Sequence, residues 1–475
     1  MASGMLIDVF IEDLNWTIYA IDAMLVALIV ILEWHDPRKT LFWALILLIT
    51  PLVGFICYLI LGQTFYSKHA FRLRDKDEKI YHQKQKAMSG DPLPIDDEDV
   101  AKALESMGSV LTYGNEVKLY TEGNAKFEDL KRDIEAAKEY IHVEYYIIRS
   151  DTLGDEILEL LEKKAREGVE VRLMVDALGI KTGRLVFNKL KNSGAKVTLF
   201  HSLATCLFSP KKNNRNHRKI AVMDGKVAYV GGFNIGDEYL GKGKLGYWRD
   251  SAVRIEGPAV SGVIYRFNVD WKYAFKEDLF TEKYECRSEP KGDVAMQIAS
   301  GGPDMHENSE IGFQYLMMIE KADKTLYIHT PYFAPNETYS SALRAAAMRG
   351  VDVRVIIPDK PDHPFVYWAN RKFADDVMKS GVRVFEYNRG FVHSKTVVVD
   401  GSLCSVGSAN FDDRSMRLNF ETNAVIYSDR IGKQMEDAFM EDLGYCTEYS
   451  HEKYASLGIF QKFATKISWF FSGQM

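Results

Sequence analysis

Two histidines in this chain each stand two residues before a lysine and seven before an aspartate. The first set is His217, Lys219 and Asp224, in Asn216-His217-Arg218-Lys219-Ile220-Ala221-Val222-Met223-Asp224-Gly225. The second is His393, Lys395 and Asp400, in Val392-His393-Ser394-Lys395-Thr396-Val397-Val398-Val399-Asp400-Gly401. Both runs have the composition of strands, where residues two apart share a face, so each histidine and lysine project together. A glycine-rich turn and an asparagine follow, Gly231-Gly232-Phe233-Asn234 and Gly407-Ser408-Ala409-Asn410, with 17 residues from His to Asn in both. An acid comes next, Asp250 after Trp248-Arg249 and Glu421 after Asn419-Phe420. One His-Lys-Asp pattern is a weak signal that a core histidine beside a surface lysine explains equally well. Two copies with identical downstream spacing are not explained that way.

The set suits phosphoryl transfer, which is mostly a problem of positioning and charge stabilisation. Lys219, Lys395, Asn234, Asn410 and the Ser408 hydroxyl are candidates to hold nonbridging phosphate oxygens, and the glycine turns let backbone approach closely. One imidazole can attack phosphorus while the other protonates the departing alkoxide, which requires opposite protonation states near neutral pH. Asp250 or Glu421 would orient each ring through its other nitrogen, as the acid of a triad does. No G-x-x-x-x-G-K-[ST] loop occurs, so nucleotide-driven chemistry is not indicated.

The elements that must carry these residues come as a duplication. Tyr140-Ile141-His142-Val143-Glu144-Tyr145-Tyr146 recurs as Tyr327-Ile328-His329-Thr330-Pro331-Tyr332-Phe333. Gly168-Val169-Glu170-Val171-Arg172 recurs as Gly350-Val351-Asp352-Val353-Arg354, and Ser193-Gly194-Ala195-Lys196-Val197 as Ser380-Gly381-Val382-Arg383-Val384. Amphipathic helical runs, Asp155 to Glu167 and Tyr339 to Arg349, separate the strands. Apolar strands alternating with such helices predict α/β sandwich halves with a largely buried sheet. The expected limits are 109–285 for the first half and 286–475 for the second.

These residues resemble the phospholipase D superfamily, in which doubled His-Lys-Asp motifs meet in one active site between pseudo-symmetric halves. The resemblance implies a phosphohistidine intermediate without metal or other cofactor. It also implies that His217 attacks, that His393 serves as acid and then base, and that Asp224 and Asp400, though part of the catalytic motif, act as structural supports. A finer similarity is to bacterial cardiolipin synthases. It rests on Asn213-Asn214-Arg215-Asn216-His217, Gly236-Asp237-Glu238-Tyr239-Leu240, Pro331-Tyr332-Phe333-Ala334-Pro335 and Asp412-Asp413-Arg414-Ser415-Met416-Arg417-Leu418-Asn419-Phe420-Glu421. That family implies phosphatidylglycerol as substrate and cardiolipin as product. A membrane-bound phospholipase D releasing phosphatidic acid is the alternative.

The remaining features bear on where such chemistry would occur. Two apolar runs, about 14–32 and 40–61, predict a two-helix transmembrane anchor within 1–66, kinked at Pro51. Lys68, Arg72, Arg74, Lys76, Lys79, Lys84 and Lys86 follow it, which places the catalytic part in the cytoplasm, on the inner face of the cell membrane. Residues 67–108 read as a basic and then acidic linker, with Ser89-Gly90-Asp91-Pro92 and Asp96-Asp97-Glu98-Asp99. The net charge of −6 argues against a nucleic-acid coat, so any grip on phosphate must be local. Lys211, Lys212, Arg215, Arg218 and Lys219 form such a cluster, and Arg215, Arg218, Arg249 and Arg414 are candidates to meet a lipid headgroup. The five scattered cysteines contain no C-x-x-C pair and read as structural. Phe460, Phe463, Ile467, Phe470 and Phe471 fall on one helical face near the C-terminus, a stripe that suits either core packing or a membrane surface.

Overall fold

The computed structural model describes residues 17, 19–31, 37–61, 75–181, 184–201, 214–303 and 310–470. The chain divides into two compact units, Met1–Arg72 with Leu203–Asn213, and Leu73–Ser202 with Asn214–Met475.

In the smaller unit the described helices cover 19–31, Pro37–Ile49 and Pro51–Leu61. Ile29, Trp43, Leu47 and Tyr58 form its small core. The second expected span is divided at Thr50-Pro51, where proline removes a helix donor. The Gly54 N–H still donates to the Thr50 carbonyl at 2.6 Å across the break. Among the described residues no helix is long and apolar enough to cross a membrane. Part of the first expected span, 14–16 with 18 and 32, lies outside the described residues.

The larger unit is built on one 15-stranded sheet. Its first seven strands in chain order are β1 (Thr112–Tyr120), β2 (Tyr140–Tyr145), β3 (Glu170–Val175), β4 (Lys196–Leu199), β5 (Lys219–Met223), β6 (Val227–Gly231) and β7 (Ala252–Glu256). The next seven repeat them: β8 (Val294–Gly301), β9 (Thr325–His329), β10 (Asp352–Pro358), β11 (Arg383–Tyr387), β12 (Thr396–Val399), β13 (Leu403–Gly407) and β14 (Glu421–Tyr427). A last strand, β15 (Cys446–Tyr449), is added at one edge. Across the first half the order is β1-β7-β6-β5-β2-β3-β4, and across the second β8-β14-β13-β12-β9-β10-β11-β15. In each half the three strands flanked by crossover helices pair in parallel, and the hairpin strands pair antiparallel. β1 and β8 pair antiparallel, Thr112 opposite Met296 and Asn115 opposite Val294, and so fuse the two halves edge to edge. The expected helical runs are present as Thr152–Arg166 and Glu337–Met348. Each half has its own apolar core, one around Ile141, Val143, Leu173 and Ala221, the other around Ile328, Val355, Val397 and Val425.

Within the expected linker residues 75–108 are folded, and 67–74 lie outside the described residues. Asp75–Ala87 is a helix, and Tyr81 stacks on Tyr265 at 4.6 Å. Glu98–Ser106 is another, and Val100, Ala101 and Leu104 enter the second core. Its acidic run lies at the helix N-terminus, where the exposed N–H groups favour negative charge, so these acids start a helix rather than solvate a linker.

The Asp-Gly pairs of the two motifs make matching hairpin turns. Asp224 and Gly225 take φ of 53° and 66°, Asp400 and Gly401 51° and 71°, which is the left-handed backbone of a tight two-residue turn. Each carboxylate then accepts three backbone N–H bonds at the start of a neighbouring strand. Asp224 takes those of Lys138, Glu139 and Tyr140 at 2.8, 2.8 and 2.9 Å. Asp400 takes those of Asp323, Lys324 and Thr325 at 2.9, 2.8 and 2.7 Å. Both carboxylates bond to backbone, in keeping with the structural role expected of the two aspartates. They lock hairpin to strand.

Candidate active site

Each motif histidine precedes its sheet strand and is delivered to the other half by backbone pairing. Gly390–Val392 runs parallel to Tyr247–Arg249, and Asn216 bridges Phe420. The His393 N–H donates to the Arg249 carbonyl at 2.7 Å, and the His217 N–H to that of Phe420 at 2.9 Å. In both cases the next residue of the receiving segment is the acid. His393 Nδ1–H donates to Asp250 Oδ2 at 2.6 Å. His217 Nδ1–H meets both Glu421 oxygens at 3.0 Å, with the Ser408 carbonyl at 3.1 Å. The acids thus serve crosswise, each holding the imidazole of the opposite half.

The acids differ by one methylene, and the turns beneath them compensate. Gly232 and Ser408 occupy corresponding places, each 15 residues after its histidine. A Cβ on Gly232 would lie 2.1 Å from Asp250 Oδ1, so only glycine leaves room for that carboxylate. On the other side the Ser408 hydroxyl donates to Glu421 Oε2 at 2.5 Å and accepts from the Thr422 N–H at 3.0 Å. Ser408 is therefore committed to the carboxylate, which corrects its expected place on phosphate.

Burial governs the electrostatics. It brings both His217 and His393 down to about 4; Glu421 and Asp250 oppose the fall, while Lys219 and Lys395 add to it from both motifs. Both rings are then neutral at pH 7, with Nδ1–H given to a carboxylate and the Nε2 lone pair free of its proton. Lys395 is held down to about 8 by burial, and Lys219 falls well below its ordinary value for the same reason. Burial works against ionising Asp250 and Glu421, yet the lysines and imidazoles hold both below the usual carboxylate range. Lys219 donates to the His217 carbonyl at 2.6 Å, and Lys395 to that of His393. The lysines of one motif act on the histidine of the other, so the two motifs share one site.

Other expected contacts divide. Asn410 keeps its side-chain oxygen without a hydrogen-bond partner in a buried position, while its backbone N–H donates to Ser415 Oγ at 3.1 Å. Asn234 is occupied at both ends, accepting from the Ile147 N–H at 3.1 Å and donating to the Tyr239 hydroxyl at 2.7 Å. Arg218 is fully buried and donates to Asp270 at 2.7 Å, Thr422 Oγ1 at 3.0 Å and the Gly301 carbonyl at 3.0 Å. Arg249 donates to Asp442 at 2.6 Å and Ser251 Oγ at 2.9 Å. Both arginines are structural, a correction of the headgroup reading, because each adjoins a site residue on a strand and so faces the other way. Arg215 lies 3.8 Å from Asp176, and Arg414 donates to Asn419 at 3.1 Å. Lys211 and Lys212 lie outside the described residues.

Several neighbours escaped the sequence reading. The Tyr146 ring meets His217 edge-on at 5.1 Å and underlies Lys219 at 5.5 Å. Around His393 stand Trp248 at 5.3 Å, Phe391 at 6.1 Å and Tyr239 at 6.2 Å. Burial pushes Asp412 up to about 7. Their signal was position, since Tyr146 ends the repeated strand run and Trp248 and Phe391 flank the segments that pair across the halves.

A doubled α/β fold with two His-Lys pairs and crossed acids in one site defines an enzyme of the phospholipase D type. Residues 130–271 and 315–443 match the family described as cardiolipin synthase, PLD-like domain, and residues 23–63 match a phospholipase D-nuclease N-terminal segment. The chain belongs to this cardiolipin synthase family of phosphatidyltransferases. It is 39% identical to cardiolipin synthase 2 of Staphylococcus epidermidis over 97% of both chains. It is 42% identical to a cardiolipin synthase of Listeria innocua, covering 93% of this chain and 95% of that one. Phosphatidylserine synthase of Haemophilus influenzae shares the fold, with a TM-score of 0.61 and 16% identity over 79% of this chain and 96% of that structure.

Proposed function

We propose that this enzyme makes cardiolipin by transesterification between two phosphatidylglycerol molecules, with His217 as nucleophile. The crossed hydrogen bonds, His217 to Glu421 and His393 to Asp250, carry this reading. They leave one Nε2 from each half free to act on opposite sides of a phosphorus. His217 Nε2 forms the N–P bond as the P–O bond to glycerol breaks, and His393, which takes up a proton at Nε2 when the phosphate anion binds, gives that proton to the alkoxide. The glycerol hydroxyl of a second phosphatidylglycerol then loses its proton to His393 and attacks phosphorus, forming a new P–O bond and releasing His217. Lys219 and Lys395 stabilise the charge on the equatorial oxygens, and Asn410 and Asn234 line the same site. Arg215 and Arg414, beside Tyr146 on the His217 side, are the remaining headgroup candidates. One diester replaces another, so no nucleotide is needed, and loss of soluble glycerol from the membrane draws the reaction forward.

The apolar helices of 1–66 serve in this reading as the anchor that keeps the enzyme at its substrate, with the catalytic part on the cytoplasmic side. The proposed catalytic halves span 109–285 and 286–475. Product analysis in vesicles of phosphatidylglycerol tests the proposal. Glycerol release should equal cardiolipin formed, and excess glycerol should drive the reaction backward. Phosphatidic acid as the main product, with cardiolipin indifferent to glycerol, would establish the membrane-bound phospholipase D instead.

A further inference from the structure

The helix Ile459–Phe470 is packed inside out. It lies against the helix Pro364–Met378. The side chains it buries are Thr465 at 0% and Ser468 at 2% exposure. Its large apolar side chains face away, with Ile459 80%, Phe460 86%, Phe463 63% and Ile467 38% exposed. At 100° per residue Thr465 and Ser468 fall on one side of the helix and these four on the other. A surface helix of a globular domain does the reverse. The face presents on the order of 500 Å² of contiguous apolar surface, taking about 200 Å² for each large side chain, and Trp469, 46% exposed, lies on the flank with Lys462 and Lys466. That is at the upper end of what a monomer leaves in water, where such patches are often functional.

Charge and position select the occupant. The helix carries Lys462 and Lys466 and no acid. Lys372 of the supporting helix stands 6.0 Å from the Trp469 ring. Aromatic and aliphatic side chains flanked by lysines fit an anionic phospholipid surface, where the rings enter the acyl boundary and the ammonium groups stay at the phosphates. The supporting helix begins just after Asp362, which accepts from the Tyr332 hydroxyl and acts electrostatically on Lys395. The apolar face is thus braced by an element that starts at the rim of the candidate site.

We propose that Ile459–Phe470 lies in the surface of an anionic bilayer and holds the mouth of the site against the leaflet that supplies the lipid. This rests on the synthase reading for its purpose but not for its contact. The test uses the full chain, reconstituted in vesicles of phosphatidylglycerol, with a nitroxide at position 463 through Phe463→Cys after replacement of the five native cysteines. Accessibility of the label to oxygen should exceed that to a water-soluble nickel chelate. A label open to nickel in vesicles overturns the proposal. So does a label shielded from both oxygen and nickel, which would show cover by the chain's own apolar helices, or one broadened by a second label, which would show a second copy. Phe460→Ser with Phe463→Ser should lower turnover on vesicle phosphatidylglycerol about ten-fold or more. Turnover on monomeric short-chain phosphatidylglycerol should stay unchanged. Equal loss on both substrates, or on neither, refutes the role in presenting lipid. Absence of cardiolipin from the unaltered protein on either substrate is failure of the synthase reading alone, since the nitroxide result does not depend on turnover.

Discussion

Substrate binding should draw a proton into this site. Burial holds His393 to about 4, so at pH 7 only about one molecule in a thousand carries the proton that a departing alkoxide needs. Placing that proton costs roughly 4 kcal/mol, three pH units at 1.36 kcal/mol each. A phosphodiester anion about 4 Å from the ring contributes roughly 4 kcal/mol at an effective dielectric of about 20. The two terms are equal, so the bound phosphate should raise His393 to about 7. Between pH 4 and 7 the liganded site then holds a proton that the free site lacks, and affinity should weaken about ten-fold for each unit the pH rises. The ligand is glycerophosphoglycerol, the deacylated headgroup, whose diester has no proton of its own in this range. Calorimetry with His217→Ala, which cannot form the N–P bond, is run at pH 6 in two buffers of different ionisation enthalpy. Close to one proton should be taken up. His393→Asn in the same background should abolish the uptake, and Asp250→Asn should reduce it. No uptake at pH 6, or uptake that survives His393→Asn, refutes the reasoning.

Loss of either histidine should remove nearly all turnover, and the double variant should be no worse than the singles, because the rings act as one unit. Lys219→Ala and Lys395→Ala should each lower kcat by about 10²-fold with the fold intact by circular dichroism. Arg218→Met breaks a buried pair with Asp270 and should cost about 3–5 kcal/mol in denaturant unfolding, with KM unchanged in the folded fraction. Arg215→Ala should do the opposite. Burial raises Glu310 to about 8, against 4.5 when unfolded, although Ser109 and the Ser300 N–H bond to it. Its contribution to stability is complete below pH 4.5 and is lost as pH rises to about 8, by about 1.4 kcal/mol per unit. Glu310→Gln should flatten that slope in melts taken from pH 5 to 9.

The duplication was readable because strand runs and motif spacing are local, and the helices fell where their periodicity put them. The crossed acids were not. Asp250 and Glu421 were visible, but which ring each serves depends on Gly390–Val392 lying beside Tyr247–Arg249, a contact made across 143 positions from Asp250 to His393. Arg218 and Arg249 were misread although the rule that corrects them is local. A strand residue next to a site residue faces away, and counting nearby positive charges ignored that alternation. In sequence the acidic run at Asp96 to Asp99 has linker composition, because Val100, Ala101 and Leu104 supply too short an apolar stripe to show a helix. At the C-terminus periodicity located the stripe and left its direction open, since only the packing of Thr465 and Ser468 says which side faces the protein.

The crossing of the acids also determines how the enzyme fails. Each half keeps a lysine, a histidine and an acid, yet neither owns a complete pair. A rise in temperature that loosens only the less stable half therefore strands both imidazoles at once, including the one on the half still folded. Activity should vanish with the first half to open and never pass through a half-active stage. Heat inactivation then reports the weaker half alone, and a stabilising substitution in the stronger half would leave it unmoved.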